Sequence, residues 1–372
     1  MDRHAILRSW LDRDGLGLEI GPLHAPVAPK RDGWRVETVD HGDAETLRAR
    51  YRDSPDVDTA LIEDVDHVSD GRSLVEVIGG AARYDWILAS HVAEHVPDLL
   101  GFLKDCETLL KPGGRLVVAL PDKRRCMDAL RPLSTTGDVL QAHAEGRRRH
   151  QPARAFDCIS RAMQLGGLYG WGAGHGGEVT LQYGPELARA AFDTFLAADD
   201  YQDIHGWVFA PPSFRLIVEE LNRIGLCALR EEGFHDTVGI EFFAALSRRG
   251  TGPAVEHRDL VLDAARAEMD GTAALLGITG DEAVEQALAA SRAEIAALQA
   301  TVAGLQAQAA ALQSANAALK VENAALTAAA ADQAGALAEA RARVAAVHAS
   351  SSWRVTAPLR WGSGLLRGQS GG

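Results

Sequence analysis

Apolar and polar positions alternate in one rhythm up to about residue 250 and in another from about residue 282. In the first part, short apolar runs flank segments of helical spacing. The clearest case is Tyr84 to Asp122. Trp86–Ile87–Leu88–Ala89 is a buried-strand run, and Val92 to Leu110 places Leu99, Phe102, Leu103, Leu109 and Leu110 at helical spacing. Lys111–Pro112–Gly113–Gly114 stops that helix, because proline cannot continue it and paired glycines allow a positive-φ exit. Leu116 to Leu120 is a second buried strand. Two apolar strands joined through a helix form a right-handed βαβ unit of a parallel sheet.

The same reading extends outwards. Met1 to about Leu16 predicts a lead-in helix, and Gly17 to Gly21 a short strand. Trp34 to Val39 predicts a strand ending in Asp40, with a helix from about Asp43, and Leu61 to Asp66 a third strand. Residues 131–198 read as helices with Gly-rich interruptions at 166–172 and 174–177, within an inserted region spanning 131–210. Phe214 to Ile224 predicts a helix, followed by strands near Cys227–Glu231 and Glu241–Ser247. The expected fold class is α/β, a doubly wound, mostly parallel sheet over residues 1–250 with a helical insertion.

After Ser247 no aromatic residue occurs between Phe243 and Trp353, and no proline between Pro253 and Pro358. Residues 251–281 read as a linker with a short helix, and 282–348 as a coiled coil. Leu298, Leu305, Leu312, Leu319 and Leu326 recur every seven residues, each preceded three positions earlier by Ile295, Val302, Ala309, Asn316 and Asn323. Leu288, Leu337, Val344 and Val347 keep this a/d register. Two asparagines at a positions favour a parallel, in-register homodimer with a rod on the order of 90 Å long; a trimer or a single solvated helix are the alternatives. The tail, 349–372, carries Trp353, Trp361, Leu359, Leu365, Leu366 and three arginines within 350–367. That mixture suits a lipid headgroup layer or a partner surface, and a disordered end is the bland alternative.

Charge narrows the function classes. With 38 Lys+Arg against 51 Asp+Glu, the formal net charge is −13. Nucleic-acid binding is not expected, because phosphate neutralisation needs clustered cations and Arg147–Arg148–Arg149 is the sole run of three arginines. The four cysteines (Cys106, Cys126, Cys158, Cys227) are scattered without a CxxC, which fits a reducing compartment. The charge-interrupted N-terminus is no signal peptide, and no run of 18 apolar residues is present. The expected location is cytoplasmic, with peripheral contact at the inner membrane face open to the tail.

Polar residues gather at the expected carboxyl ends of strands: Ser90, His91, Glu94 and His95 after one, Asp122 and Lys123 after the next. In open α/β sheets ligands bind along that edge. Here the chain resembles the class I S-adenosylmethionine-dependent methyltransferases. The resemblance rests on Ala93–Glu94–His95–Val96–Pro97–Asp98, matching an xEH(V/I)PD segment after strand four, and Leu110 to Gly114, matching an LKPGG turn before strand five. Glu19 to Pro26 resembles the EIGPLxxP first motif of a subgroup found alongside bacterial surface-polysaccharide enzymes, and His205 to Phe214 resembles that subgroup's HxWVFxPxSF phrase. Residues 352–360 are similar to a SWRxTxPLR tail that follows coiled coils in bacterial glycan-assembly proteins, glycosyltransferases included.

The resemblance implies S-adenosyl-L-methionine as cofactor, a glycan or glycolipid acceptor, and glycosyltransferases as candidate partners. It assigns Glu19, Gly21 and Pro22 to the first cofactor turn, although the usual GxGxG is replaced by Gly21–Pro22–Leu23–His24. Asp40, at the end of strand two, is the ribose candidate, since a carboxylate can accept from both hydroxyls of a cis-diol; a helix N-cap is its alternative. Asp66, ahead of Asp64, is the adenine candidate, and Ser90 and His91 complete the cofactor set.

Methyl transfer to a hydroxyl requires removal of its proton, and His91, His205 and His175 are the candidate bases, with His95 nearby and Asp157 behind them. His91–Val92–Ala93–Glu94–His95 also matches HxxEH, an inverted zinc-protease motif. No third ligand is placed by a comparable motif, and a strand-to-helix junction is a poor protease context, so no metal is expected. Two other functions compete. One is a non-catalytic scaffold that recruits glycan enzymes through the rod. The other, a nicotinamide-dependent oxidoreductase, is disfavoured by the missing GxGxxG.

Overall fold

Alternate residues of the central strands go to opposite faces, and both faces are apolar. On the strand of residues 84–90, Ile87 and Ala89 join one buried cluster while Trp86 and Leu88 join another. Leu116, Val118 and Leu120 divide from Val117 and Ala119 in the same way, as do Phe242, Ala244 and Leu246 from Phe243 and Ala245. A sheet buried on both faces is what a doubly wound fold requires. The computed structural model describes residues 2–275 and 281–355.

The main sheet contains β1 (Gly17–Ile20), β2 (Val36–Asp40), β3 (His67–Val68), β4 (Tyr84–Ser90), β5 (Leu110–Pro121), β8 (Arg230–Val238) and β9 (Glu241–Ser247). A separate hairpin pairs β6 (Met163–Leu165) with β7 (Val179–Leu181). The order across the main sheet is β3-β2-β1-β4-β5-β9-β8. The pairs from β3 to β5 are parallel, and β9 is antiparallel to both neighbours. This is a Rossmann-like sheet whose order reverses at β1–β4, the topological switch point beside which such folds bind ligands. Helix α1 (Arg3–Arg8) precedes the first strand, and α2 (Ala44–Arg50), α3 (Leu74–Ile78) and α4 (Leu99–Leu109) belong to the sheet's connections. The insertion contributes α5 (Thr136–Ala144), α6 (Pro152–Ser160) and α7 (Pro185–Ala197). Then come α8 (Pro211–Arg223) and α9 (His257–Leu275).

Several elements differ from expectation. The lead-in helix is short, ending at Arg8. The segment 92–98 is not helical: it holds a single 3₁₀ turn at Ala93–His95, and α4 starts only after Asp98, whose Oδ1 accepts from the Gly101 N–H at 2.9 Å. Pro97 favours an extended residue before it and so delays the helix. Gly113 and Gly114 are not left-handed but part of β5. Gly114 is required by crowding, because a Cβ there would lie 2.9 Å from Tyr84 O. The third strand starts one residue after Asp66 and has two residues, since Thr59–Leu61 forms a 3₁₀ turn capped by Asp58. Residues 251–281, read as a linker with a short helix, contain α9, whose 19 residues include the buried Leu260 and Ala267, and the compact unit runs to Ala283.

The second unit, Val284–Gly372, consists in its described part of α10 (Asp281–Ala349), which spans the boundary, and α11 (Ser351–Val355). At 1.5 Å per residue, the 69 residues of α10 measure roughly 100 Å. Ile295, Leu298, Val302, Leu305, Leu312, Leu319 and Leu326 are exposed along it. No helix among the described residues is long and apolar enough to cross a membrane. The tail beyond Val355 and the side chains of Leu288 and Trp353 lie outside the described residues.

Candidate functional site

The first wall of the site is the turn after β1. Gly21 has φ +62°, and a Cβ there would sit 3.6 Å from Val92 Cγ2, so this turn abuts the segment that follows β4. Leu23 is also left-handed (φ 44°), a conformation unfavourable for a branched side chain. Glu19 is buried, with Oε1 accepting from the Val27 N–H at 2.7 Å and Oε2 from the Ala28 N–H at 3.1 Å. Burial pushes its carboxyl up to about 7 against the pull of those two N–H groups. Its visible task is therefore to hold the 21–28 loop in place.

Asp40 closes β2, and Pro22, Leu23, Glu63 and Val65 line a crevice with it. Its Oδ1 accepts from the His41 N–H at 2.8 Å, while its buried Oδ2 has no hydrogen-bond partner. The helix-cap alternative fails, because Asp43 caps α2 instead. Asp66 is differently placed. Its Oδ2 accepts from Lys30 Nζ at 2.5 Å and from the Thr38 N–H at 2.7 Å, contacts within the protein that tie β3 to β2. Ser90 Oγ accepts from Arg3 Nη2 at 2.7 Å.

The second wall is built from 91–95 and the 201–207 segment of the insertion. His91 has φ +53°, and its Nε2 lies 2.9 Å from Glu241 Oε2. Burial alone would lower its pKa, but Glu241 and Glu94 outweigh burial and lift it to about 9. A histidine that is already protonated donates and cannot take up a proton, so His91 does not fit the role of base. Glu241 is tied on its other side to Arg3 Nε at 2.6 Å. Burial raises its pKa, but the His91 and Arg3 contacts prevail and hold it at about 2.

Glu94 is fully buried with neither carboxylate oxygen hydrogen-bonded, although Oε1 lies at ion-pair distance from His91 Nδ1 (3.3 Å) and His95 Nε2 (3.9 Å). His205 reaches the same place, its ring 4.7 Å from that of His95 and almost perpendicular to it. The Gly206 N–H fixes this approach by donating to Glu94 O at 2.8 Å. Asp128 Oδ2 lies 2.6 Å from His205 Nδ1, and Asp203 Oδ1 lies 2.8 Å from His95 Nδ1. For Asp128, burial raises the pKa, but His205 and Arg131 more than offset it and hold the group at about 2. His175 is placed elsewhere: exposed in the β6–β7 connection, its Nε2 lies 3.1 Å from Leu165 O. Asp157 pairs with Arg161 on the surface of α6.

The structure thus gathers Gly21, Pro22, Asp40, Ser90, His91 and His205 along the carboxyl edge of the sheet and leaves His175 outside it. It adds four residues that sequence reasoning missed: His24, whose Nδ1 is another buried, unpartnered atom, and Asp128, Asp203 and Glu241. No motif marks the last three. His24 could have been suspected from its place in the altered first turn.

This sheet order, with its antiparallel β9 and a polar edge around the β1 turn, defines a methyltransferase-type Rossmann-like domain. Residues 3–169 match a family model described as a methyltransferase domain. Similar solved structures include an S-adenosylmethionine-dependent methyltransferase from Methanosarcina mazei, at 13% identity and TM-score 0.34 over 66% of this chain and 97% of that one. Another is the CcbJ methyltransferase from Streptomyces caelestis, at 13% identity and TM-score 0.33 over 66% and 93%. A third, from Burkholderia thailandensis, is an N1-methyltransferase with bound S-adenosylhomocysteine, at 21% identity and TM-score 0.23 over 32% and 50%. No curated protein sequence matches the chain.

Proposed function

We propose that the chain is an S-adenosylmethionine-dependent methyltransferase that methylates a hydroxyl of a glycan or glycolipid. The observation that carries the cofactor assignment is Asp40 Oδ2, a buried carboxylate oxygen with no protein partner at the tip of β2. A buried acceptor left unpaired costs about 1–3 kcal/mol, a cost relieved when a bound hydroxyl donates to it. The ribose of the cofactor supplies two. His24 Nδ1 offers a second unmet polar atom in the β1 turn, where the cofactor's amino-acid portion is expected. When bound, the cofactor supplies an activated methyl group. The protein's share is to hold it beside Gly21 and orient the acceptor at the Glu94–His95–His205 end.

Oxygen as the methylated atom is supported by that end of the site, where carboxylates and imidazoles converge and can orient a hydroxyl. The glycan reading rests on the similarity of residues 19–26 and 205–214 to enzymes associated with surface polysaccharides. The exposed heptad face of α10 supports a parallel homodimer as the working form. Calorimetric titration of the full chain with S-adenosylmethionine tests the assignment. Micromolar binding is expected, and no detectable heat would favour the scaffold instead.

A further inference from the structure

Glu94, His95 and His205 each present one ligand atom, and the three atoms lie within 4.8 Å of one another. We infer that they form a divalent-cation site at the acceptor end of the domain. The ion would be a first-row transition metal of the Mn, Fe or Zn type, held by two imidazoles and one carboxylate. Three observations carry this. Glu94 is completely buried and neither of its oxygens is hydrogen-bonded, so this carboxylate has only the longer ion-pair approaches of His91 Nδ1 at 3.3 Å and His95 Nε2 at 3.9 Å. Each imidazole has its Nδ1 committed to a carboxylate, His95 to Asp203 at 2.8 Å and His205 to Asp128 at 2.6 Å, leaving Nε2 of each ring as the free donor. A carboxylate–histidine–metal relay has this arrangement, in which an outer carboxylate fixes the tautomer and strengthens the ligand. Those outer groups are themselves anchored: Asp128 by Arg131 Nη1 at 2.6 Å, and Asp203 by the Tyr201 hydroxyl at 2.7 Å.

The donor set selects the metal class. Imidazole nitrogen favours transition ions over Ca²⁺ and Mg²⁺, and three protein ligands leave coordination positions open for an acceptor. Metal–ligand bonds of about 2.1 Å place neighbouring ligand atoms roughly 3 Å apart, so binding requires the cluster to contract by less than about 2 Å. His95 and His205 are both partly exposed, which gives them room for that rotation.

Part of HxxEH is therefore used, but not as a helical motif. His95 and Glu94 serve from a 3₁₀ turn, and the third ligand arrives from a residue 110 positions further on. The site's role rests on the proposed methyl transfer: the ion would bind the acceptor hydroxyl by its oxygen and orient it.

The test is metal uptake by the full chain. Purified protein is stripped with a chelator and titrated with MnCl₂ and with ZnCl₂, following heat and the Mn²⁺ spin resonance signal. One ion per chain is expected in the wild type. Glu94→Gln and His205→Gln should each weaken uptake by about 10-fold or more, and His175→Ala should leave it unchanged. Circular dichroism confirms that each variant is folded; were Glu94→Gln to unfold, His205→Gln, on the partly exposed 201–207 segment, would decide. No uptake by the wild type, or equal uptake by the folded variants, overturns the site. Binding of S-adenosylmethionine is measured on the same samples. Cofactor binding without metal uptake overturns this inference and spares the methyltransferase reading, whereas metal uptake without cofactor binding supports the site and removes that reading.

Discussion

Asp40→Asn separates ligand binding from folding at a single atom. In the free protein the two oxygens of Asp40 differ. Oδ1 accepts from its neighbour's N–H at 2.8 Å and pairs with His41 Nδ1 at 2.7 Å, while Oδ2 is buried with no partner. The amide keeps the first contact and replaces the second oxygen with NH₂, which cannot accept from a ribose hydroxyl. A hydrogen bond to a charged group contributes about 1.5–3 kcal/mol, so S-adenosylmethionine should bind roughly 10- to 150-fold more weakly. Stability should hardly fall, because the substitution removes no protein–protein contact of Oδ2 and discharges a buried carboxylate. Calorimetric titration gives the affinity, and thermal melting without ligand gives the stability. Asp66→Asn is the contrast. Asp66 Oδ2 already serves Lys30 and Thr38, so its loss should lower the melting temperature and leave affinity within about threefold. Asp40→Asn with affinity within about twofold of wild type would remove this carboxylate from the cofactor site. If it melted earlier than Asp66→Asn, the reasoning about its free oxygen would be wrong.

Three other outcomes follow from particular contacts. Glu19 has its folded pKa raised from 4.5 to about 7, so the stability it contributes is full below pH 4.5 and is lost as pH rises through 7, up to about 3 kcal/mol; urea unfolding of the wild type against Glu19→Gln should show that difference between pH 4.5 and 7.5, and parallel pH profiles would refute it. Gly17→Ala would place a methyl group 2.1 Å from the Trp86 ring, which also packs edge-on against Trp34, so a loss of about 1–3 kcal/mol is expected by chemical denaturation. Replacing Asn316 and Asn323 together by leucine should convert a defined dimer into mixed oligomers in sedimentation, and a monomer before and after would refute the zipper.

The central βαβ unit was legible because Trp86 to Ala89 and Leu116 to Leu120 are buried on both faces, a condition that only continuous apolar runs satisfy. The positions of Gly21 and Asp40 at strand ends were legible for a related reason, since strand ends are marked where apolar runs stop. The boundaries were less so. The helix read over Val92 to Leu110 starts late, because Pro97 and the left-handed His91 break its first stretch into a turn, and tertiary contacts from Glu241 and Gly206 hold that turn. The third strand is almost absent because 59–66 is fastened by side chains: Arg48 to Ile62 O, Lys30 to Asp64 O and Asp66 to Thr38. Such contacts leave no periodic trace.

The cluster around Glu94 was illegible for a different reason. His205, Asp128 and Asp203 come from separate stretches with no shared spacing, and three-dimensional closure alone puts them around Glu94. Among the described residues, the buried side-chain atoms without a hydrogen bond are His24 Nδ1, Asp40 Oδ2 and both oxygens of Glu94. They stand after β1, at the end of β2 and after β4, three neighbours across the sheet, all on its carboxyl edge. Random packing defects would scatter through the core and its loops. Unmet polarity confined to one edge is what both proposals answer: a nucleoside's hydroxyls and polar groups would serve the first two, and a cation the third. Among the described residues, two of the three left-handed non-glycine residues, Leu23 and His91, lie on the same edge, so backbone strain is concentrated where the polarity is unmet.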